Sequence, residues 1–325
     1  MPHTMQVWEC RGYGGPDRLV LAERPVPVPR PGEVLVRIAA TTVSSGDARI
    51  RALRLPPGFS LIGRPMLGFF GPRQKILGTE FAGHIAALGP GVTGWREGDA
   101  AVGFPGAAQG CHAEYRTMPV TRPLIAWPAG VSLEQAAALA FGGTTARHFL
   151  RRAQVGPGTR LLVIGASGTV GSAMVQLARA VGAEVTGVTS ARNLDLVRSL
   201  GADTIDYGQQ DFRTLGRHWD VIADTVAAAS FGAVLPCLAP AGRYLPIAGG
   251  LADLLARPRQ GRTSIGGPAA ERPEDLVALG QLAEAGAFRP VVGAVMDWQQ
   301  MPQAHALVDS GHKRGSVVVR VGPAA

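Results

Sequence analysis

Six residues near the middle of the chain have the types and spacing to bind phosphate. Ala166, Ser167, Gly168, Thr169, Val170 and Gly171 read as G-x-G-x-x-G with alanine in the first place. Residues 161–164 before them form a short apolar run, the mark of a strand buried on both faces. Met174, Leu177, Ala178 and Val181 after them repeat at helical spacing, and Gly182 is placed to end that helix. A second strand is expected over 184–189. Strand, glycine turn, helix and strand in about thirty residues are the context a dinucleotide fingerprint requires. Gly168 would let the backbone approach a pyrophosphate, and Gly171 would let the helix pack closely on the strand. The free N–H groups at the helix start would face the phosphates. A glycine-rich turn without a ligand is the plainer alternative; the correctly placed flanking elements favour the ligand.

The end of the second strand bears on which dinucleotide. Sites for NAD usually carry Asp or Glu about twenty residues past the glycines, bonded to the ribose hydroxyls. Here the strand runs into Ser190, Ala191, Arg192 and Asn193, with no carboxylate. A carboxylate would repel a 2′-phosphate, whereas Ser190 can donate to one and Arg192 can pair with it. Arg192 could also be one more solvated loop arginine in an arginine-rich chain. NADP(H) is the expected cofactor.

The chain that must position these groups has 325 residues, 46% hydrophobic and 17% charged. That suffices for two domains with sizeable cores and is unlike a disordered composition. No apolar run approaches the roughly eighteen residues of a transmembrane helix. The N-terminus lacks a basic region followed by an apolar one, so a cytoplasmic location is expected and a membrane partner is not. The net charge is +8, and Lys75 and Lys313 are the only lysines. The arginines are scattered, with the densest cluster at 257–262 and no aromatic residues between them. Compositional bias therefore explains the charge better than a nucleic-acid partner. Cys10, Cys111 and Cys237 are far apart and form no metal-binding spacing.

Hydrophobic periodicity and turn residues give the order of elements. Residues 5–43 read as all-β, with strands at 6–9, 19–23 and 33–40 and a short basic helix over 47–53. Residues 54–75, rich in Pro, Gly and Phe, read as a long loop bordering a pocket. Further strands are expected at 76–85, 98–103 and from 111. Residues 123–128 begin the passage to a second domain. Residues 133–150 read as helical, interrupted by Gly142, Gly143, Thr144 and Thr145, which suit a packing or ligand role. Strands at 221–224 and 242–247, with a helix over 227–238 between them, continue an alternation that means a parallel doubly wound sheet. Helices at 271–286 and 301–310 and a strand at 315–321 close the chain.

On these residues the chain resembles the medium-chain dehydrogenase/reductase superfamily, and within it the zinc-independent quinone oxidoreductases. The carrying motifs, in family order, are LGTEFAGHIAALG (77–89), FGGTTA (141–146), GASGTVG (165–171), SLGADTIDY (199–207) and GHKRGSVVVRV (311–321). The resemblance implies an α/β protein. A GroES-like β-rich catalytic domain would span 1–123, completed by 269–325. A Rossmann doubly wound parallel-sheet cofactor domain would span 124–268. It also implies a homodimer, and places Thr144, Asn193, Tyr207, Ala248 and Gly249 with the cofactor and Ser44, Ser45 and Asp47 near its nicotinamide. Zinc members of the superfamily carry Cys where this chain has Ser44 and His where it has Thr79, while Glu80 survives from their Gly-His-Glu triplet. Ser and Thr are poor zinc ligands, so no metal is expected.

The expected activity is NADPH-dependent hydride transfer to a quinone or an α,β-unsaturated carbonyl, whose conjugation already makes it a hydride acceptor. An alcohol, aldehyde or enoyl-thioester reductase is the second enzymatic reading. A non-catalytic NADPH-binding protein, crystallin-like or RNA-binding, is the third; the intact fingerprint and FGGTTA argue against it. His112 and Tyr115 are conceivable proton donors, although a packed histidine and a core tyrosine fit those positions better.

Overall fold

The expected alternation of buried strands and helices is present in the computed structural model, which describes residues 2–322 and, of 60–62, the backbone alone. The first stretch is β-rich: β1 (Thr4–Cys10), β2 (Leu19–Pro25), β3 (Glu33–Val43), then helices α1 (Ser45–Ala52) and α2 (Ser60–Leu67). Four strands follow, β4 (Phe81–Leu88), β5 (Ala100–Gly103), β6 (Tyr115–Pro119) and β7 (Leu124–Ala126), then α3 (Leu133–Ala137) and α4 (Ala140–Arg152). The next stretch alternates: β8 (Arg160–Ile164), α5 (Thr169–Ala180), β9 (Glu184–Thr189), α6 (Leu194–Ser199), β10 (Asp203–Asp206) and β11 (Trp219–Asp224). It continues with α7 (Phe231–Val234), β12 (Leu238–Pro246), α8 (Leu251–Leu254) and β13 (Thr263–Ser264). The chain ends with α9 (Pro273–Glu284), β14 (Val292–Asp297), α10 (Met301–Asp309) and β15 (Ser316–Arg320).

Contacts divide the chain into two compact units. The first holds Met1–Leu55, Ile62–Phe141 and Glu271–Ala325, and the second holds Pro56–Leu61 and Gly142–Ala270. The division thus falls inside α4, and β7 and α3 lie with the first unit.

The first unit is built on a seven-stranded sheet in which β14, β15, β3, β4, β5 and β7 are successive neighbours and β6 also pairs with β3. β15 lies antiparallel on β3, with Val317 opposite Val43, so the two ends of the chain share one sheet. That is why neither end can form this unit alone. Val34, Val36 and Ile38 of β3 join one apolar cluster with Phe81, and Val43 at its end joins a second with Trp8, Trp298 and Val317. Trp8 meets Trp298 edge-on at 6.3 Å and donates its indole N–H to the Trp298 carbonyl at 2.9 Å. The ring area is buried and the one polar atom of Trp8 is satisfied, the condition for a buried tryptophan.

The second unit is a six-stranded parallel sheet in the order β10-β9-β8-β11-β12-β13. In order of appearance this is 3-2-1-4-5-6, the doubly wound arrangement that reverses direction between its first and fourth strands. Ligands of such sheets bind beyond the strand ends at that reversal, here between β8 and β11.

Some sequence expectations need correction. Residues 54–75 are not all loop: α2 lies within them and contains Pro65 in its interior, the residue that masked its helical character. Helix α4 runs straight through Gly142, Gly143, Thr144 and Thr145; the break falls earlier, between α3 and Ala140. A Cβ on Gly142 would sit 2.7 Å from the backbone oxygen of Thr169, so close packing sets that glycine. The helix expected over 227–238 is reduced to α7 and a 3-10 turn at Leu235–Cys237, because Ala227 adopts a positive φ and Pro236 prevents a continuous helix. Strand β14 lacked a sequence signal of its own.

The two fingerprint glycines separate by what surrounds them. A Cβ on Gly171 would lie 2.2 Å from the Gly165 carbonyl oxygen, whereas one on Gly168 would meet only that oxygen, at 3.4 Å. Gly171→Ala should therefore cost about 1–3 kcal/mol of stability through overpacking, and Gly168→Ala only the cost of a poorer N-cap, about 0.5 kcal/mol. Urea denaturation of the two variants measures this; equal losses would contradict the packing assignment.

Candidate functional site

In the second unit the candidate residues gather along one edge of the parallel sheet. Ala166 to Gly171 follow β8, Ser190 to Asn193 follow β9, Tyr207 follows β10, and Ala248 and Gly249 follow β12. This is the carboxyl edge of the strands, where α/β sheets bind ligands. Gly168 is the N-cap of α5, with no side chain over the first helical turn. The N–H groups there are left for an anion, aided by the helix dipole.

Hydroxyl and amide groups brace this edge. Thr189 Oγ1 donates to Ser167 Oγ at 2.9 Å, and Asn193 Nδ2 donates to the same oxygen at 3.1 Å and to Ser190 Oγ at 3.2 Å. With both lone pairs of Ser167 occupied, its own O–H remains to donate outward. Asn193 is buried, and its Oδ1 has no hydrogen-bond partner among the described residues. Such an orphan acceptor normally finds a ligand or water. Arg192 and Tyr207 are exposed, and Ser190 is half-buried. Thr144 is buried on α4, two residues past the Gly142 contact with α5. This edge offers a dinucleotide the amides at a helix start, a hydroxyl donor, an orphan acceptor and a guanidinium.

In the first unit a buried polar cluster surrounds the start of α1. Ser44 is the N-cap, and the Asp47 carboxylate closes a capping box with it. That carboxylate accepts from the Ser44 N–H at 2.7 Å, the Ser44 hydroxyl at 2.6 Å and the Gly78 N–H at 3.0 Å. Ser44 and Asp47 thus have structural work, about 1 kcal/mol for the cap alone. Ser45, by contrast, is exposed.

Glu80, also buried, joins three segments. It accepts from Thr42 Oγ1 at 2.6 Å and from the backbone N–H groups of Ala140 and Phe141 at 2.9 and 2.7 Å. Burial pushes its carboxyl up to about 7, although those three bonds pull the other way. Lys313 donates to the Gly315 carbonyl at 2.7 Å, and burial draws its ammonium down to about 8 while the Glu80 charge opposes that.

His112 is fully buried; its Nε2 lies 3.0 Å from the Thr42 carbonyl and its ring meets His305 edge-on at 5.5 Å. Beside them Arg51 is buried and bonds to His305, Gly14 and Asp309. Sequence reasoning missed Thr42, Arg51, His305 and Lys313. The partners of Thr42, Arg51 and His305 lie far away in sequence, 38 positions for Thr42 and Glu80 and 254 for Arg51 and His305, so no local spacing marks them. Tyr115 is half-buried at the start of β6.

The donors at the family's zinc positions do not suit that metal. Ser44 is committed to Asp47, Thr79 offers only a hydroxyl, and both Glu80 oxygens already accept hydrogen bonds. Among the described residues no three His, Cys, Asp or Glu side chains converge as a metal site requires.

Glu80 gives a pH dependence with a defined sign. Its folded-state value, about 7, lies above the ordinary 4.5, so the folded protein holds this proton more tightly than the unfolded chain. The resulting stability is complete below the lower value and is lost as pH rises through the upper one. Glutamine cannot titrate. Between about pH 4.5 and pH 8, Glu80→Gln should gain about 3 kcal/mol relative to the native protein. Urea unfolding across that range checks this; a difference constant with pH would contradict it.

Comparison with known proteins agrees with this architecture. Residues 30–147 match the alcohol dehydrogenase GroES-like domain, and residues 200–319 match a family described as zinc-binding dehydrogenase. A chloroplastic quinone-oxidoreductase homolog of Spinacia oleracea is 33% identical over 261 residues, 76% of this chain and 75% of that protein. A chloroplastic NADPH-dependent alkenal/one oxidoreductase of Arabidopsis thaliana is 27% identical over 332 residues, 98% of this chain and 80% of that one. A 2-methylene-furan-3-one reductase of Solanum lycopersicum is 33% identical over 239 residues, 70% of this chain; the chain spans 58% of that relative's length. The solved quinone oxidoreductase of Coxiella burnetii superposes with a TM-score of 0.85 at 26% identity, covering 98% of this chain and all of that one. With a chain-spanning sheet order, a placed fingerprint and these matches together, the protein belongs to the medium-chain dehydrogenase/reductase superfamily, in its quinone oxidoreductase-like branch, and is an oxidoreductase.

Proposed function

We propose that this oxidoreductase uses NADPH to reduce quinones or α,β-unsaturated carbonyls, without zinc. The observation that carries this reading is the donor set at the family's metal positions. Ser44 and Glu80 spend their oxygens on hydrogen bonds within the first unit, and Thr79 is no substitute for imidazole. Reducing a ketone to an alcohol in this superfamily relies on a Lewis acid to hold the alkoxide. A conjugated acceptor spreads that charge over its own π-system and needs orientation and hydrogen-bond donors instead. The names of the Arabidopsis, tomato and spinach relatives support the same substrate class.

When bound, NADPH would supply the hydride from its nicotinamide ring. The turn from Ala166 to Gly171 would hold the pyrophosphate with backbone N–H groups, and Ser190 and Arg192 would hold the 2′-phosphate. Asn193, Tyr207, Thr144, Ala248 and Gly249 would line the remainder of the cofactor. Of the three residues placed near the chemistry, Ser44 and Asp47 would shape the start of α1. Ser45, exposed, would be the one able to donate to a substrate oxygen.

Two measurements test this proposal. NADPH absorbance followed over a panel of quinones, enones and simple ketones should fall with the conjugated acceptors and persist with the ketones, in protein containing well under one equivalent of zinc. Zinc that tracks activity, or preferred turnover of ketones, would overturn it.

Cofactor choice is tested separately. A charge-assisted contact contributes about 1.5–3 kcal/mol, roughly ten- to 150-fold in affinity. Arg192→Ala should weaken NADPH by that range and leave NADH nearly unchanged, and adding Ser190→Asp should shift preference further toward NADH. Dissociation constants for both cofactors, at one salt concentration, decide it; equal losses for the two would remove Arg192 from phosphate recognition.

A further inference from the structure

The end of α2 and the segment after it hold large apolar side chains in solvent. Met66 is 66% exposed, Phe69 58% and Phe70 95%. A soluble protein seldom leaves such a group uncovered without a partner. The segment is braced rather than loose. Tyr13 donates its hydroxyl to the Gly68 carbonyl at 2.8 Å, and Arg73 donates to the Pro65 carbonyl at 2.8 Å. Arg64 lies over the Tyr13 ring at 5.7 Å and bonds to the Phe69 carbonyl. A Cβ on Gly71 would lie 2.9 Å from the Gly12 Cα, so two backbones touch there.

Phe69 and Phe70 border an open cavity of about 740 Å³ that is also lined by Arg11, Arg24, Arg73 and Lys75. Among the described residues of that lining Glu9 is the one carboxylate, and it is buried and already paired with Arg24 at 2.6 Å and Arg11 at 3.6 Å. Aromatic rings held in solvent beside a ring of cations match the interface of an anionic bilayer. There the rings enter the headgroup region and the cations meet lipid phosphates.

We propose that this face is a peripheral docking surface for anionic lipid bilayers, with Phe69 and Phe70 entering the interface and Arg11, Arg24, Arg73 and Lys75 on the headgroups. Charge complementarity selects this occupant: four cations against the one buried carboxylate of Glu9 leave the lining net positive, which a neutral apolar partner would not offset. The sequence-based expectation of no membrane partner rested on spanning segments, and among the described residues no helix is long and apolar enough to cross a membrane. This surface is assembled from three separate stretches, around residues 9–12, at Arg24 and at 66–75, so neither an apolar run nor a basic run betrays it.

The test is co-sedimentation of the full chain with phosphatidylcholine vesicles, with and without phosphatidylserine, at low salt. Binding should be about tenfold or more tighter with phosphatidylserine and should weaken as salt rises. Phe69→Ser with Phe70→Ser, and separately Arg73→Glu with Lys75→Glu, should each weaken binding about tenfold or more. Circular dichroism melting verifies that each variant is folded, and Phe70→Ser alone serves if the double variant is not. Equal binding to both vesicle types, native affinity in a folded variant of either kind, or displacement by inorganic phosphate at matched ionic strength would overturn the proposal. The last result would assign the cavity to a small free anion.

Discussion

A carboxylate leaves water only if hydrogen bonds replace its hydration, and the first unit depends on two that do. Asp47 gathers Ser44 and Gly78, fixing the start of α1 against the segment that precedes β4. Glu80, two residues past Gly78, gathers Thr42 at the end of β3 and the first N–H groups of α4. Between them they set where α1, β3, β4 and α4 begin or end, and so where Ser44 and Ser45 stand. The same bonds engage the Ser44 and Glu80 oxygens that stand at the family's metal positions. Architecture and the proposed reaction class therefore follow from one constraint.

The second unit depends on a different closeness. Gly171 lets α5 approach the turn at Gly165 nearer than any side chain allows. That approach aims the helix start at the sheet edge where Ser190, Asn193 and Tyr207 also lie. Ser167 ties the edge together by accepting from Thr189 and Asn193.

Much of this was legible in the sequence because it is local. The apolar run before the glycines, the helical repeat after them and the strand at Glu184–Thr189 are short-range patterns. The motif order carried the superfamily. Tertiary context overrode propensity in α4, where two glycines stay helical because Gly142 packs against Thr169, and a proline hid α2. The least legible part was the polar interior. Nothing near Arg51 in sequence announces His305 or Asp309, and nothing near Ser44 distinguishes a capping serine from a reacting one until its hydrogen bonds are seen.

The central claim is that hydride passes to a conjugated carbon with no metal holding the substrate oxygen. The most direct measurement uses NADPH deuterated at the transferable C4 position and an open-chain enone, with the product examined by NMR. Deuterium at the β-carbon of a saturated ketone is the expected result. Deuterium on the carbinol carbon of an allylic alcohol would contradict the account, because that product requires the alkoxide stabilisation this donor set does not provide.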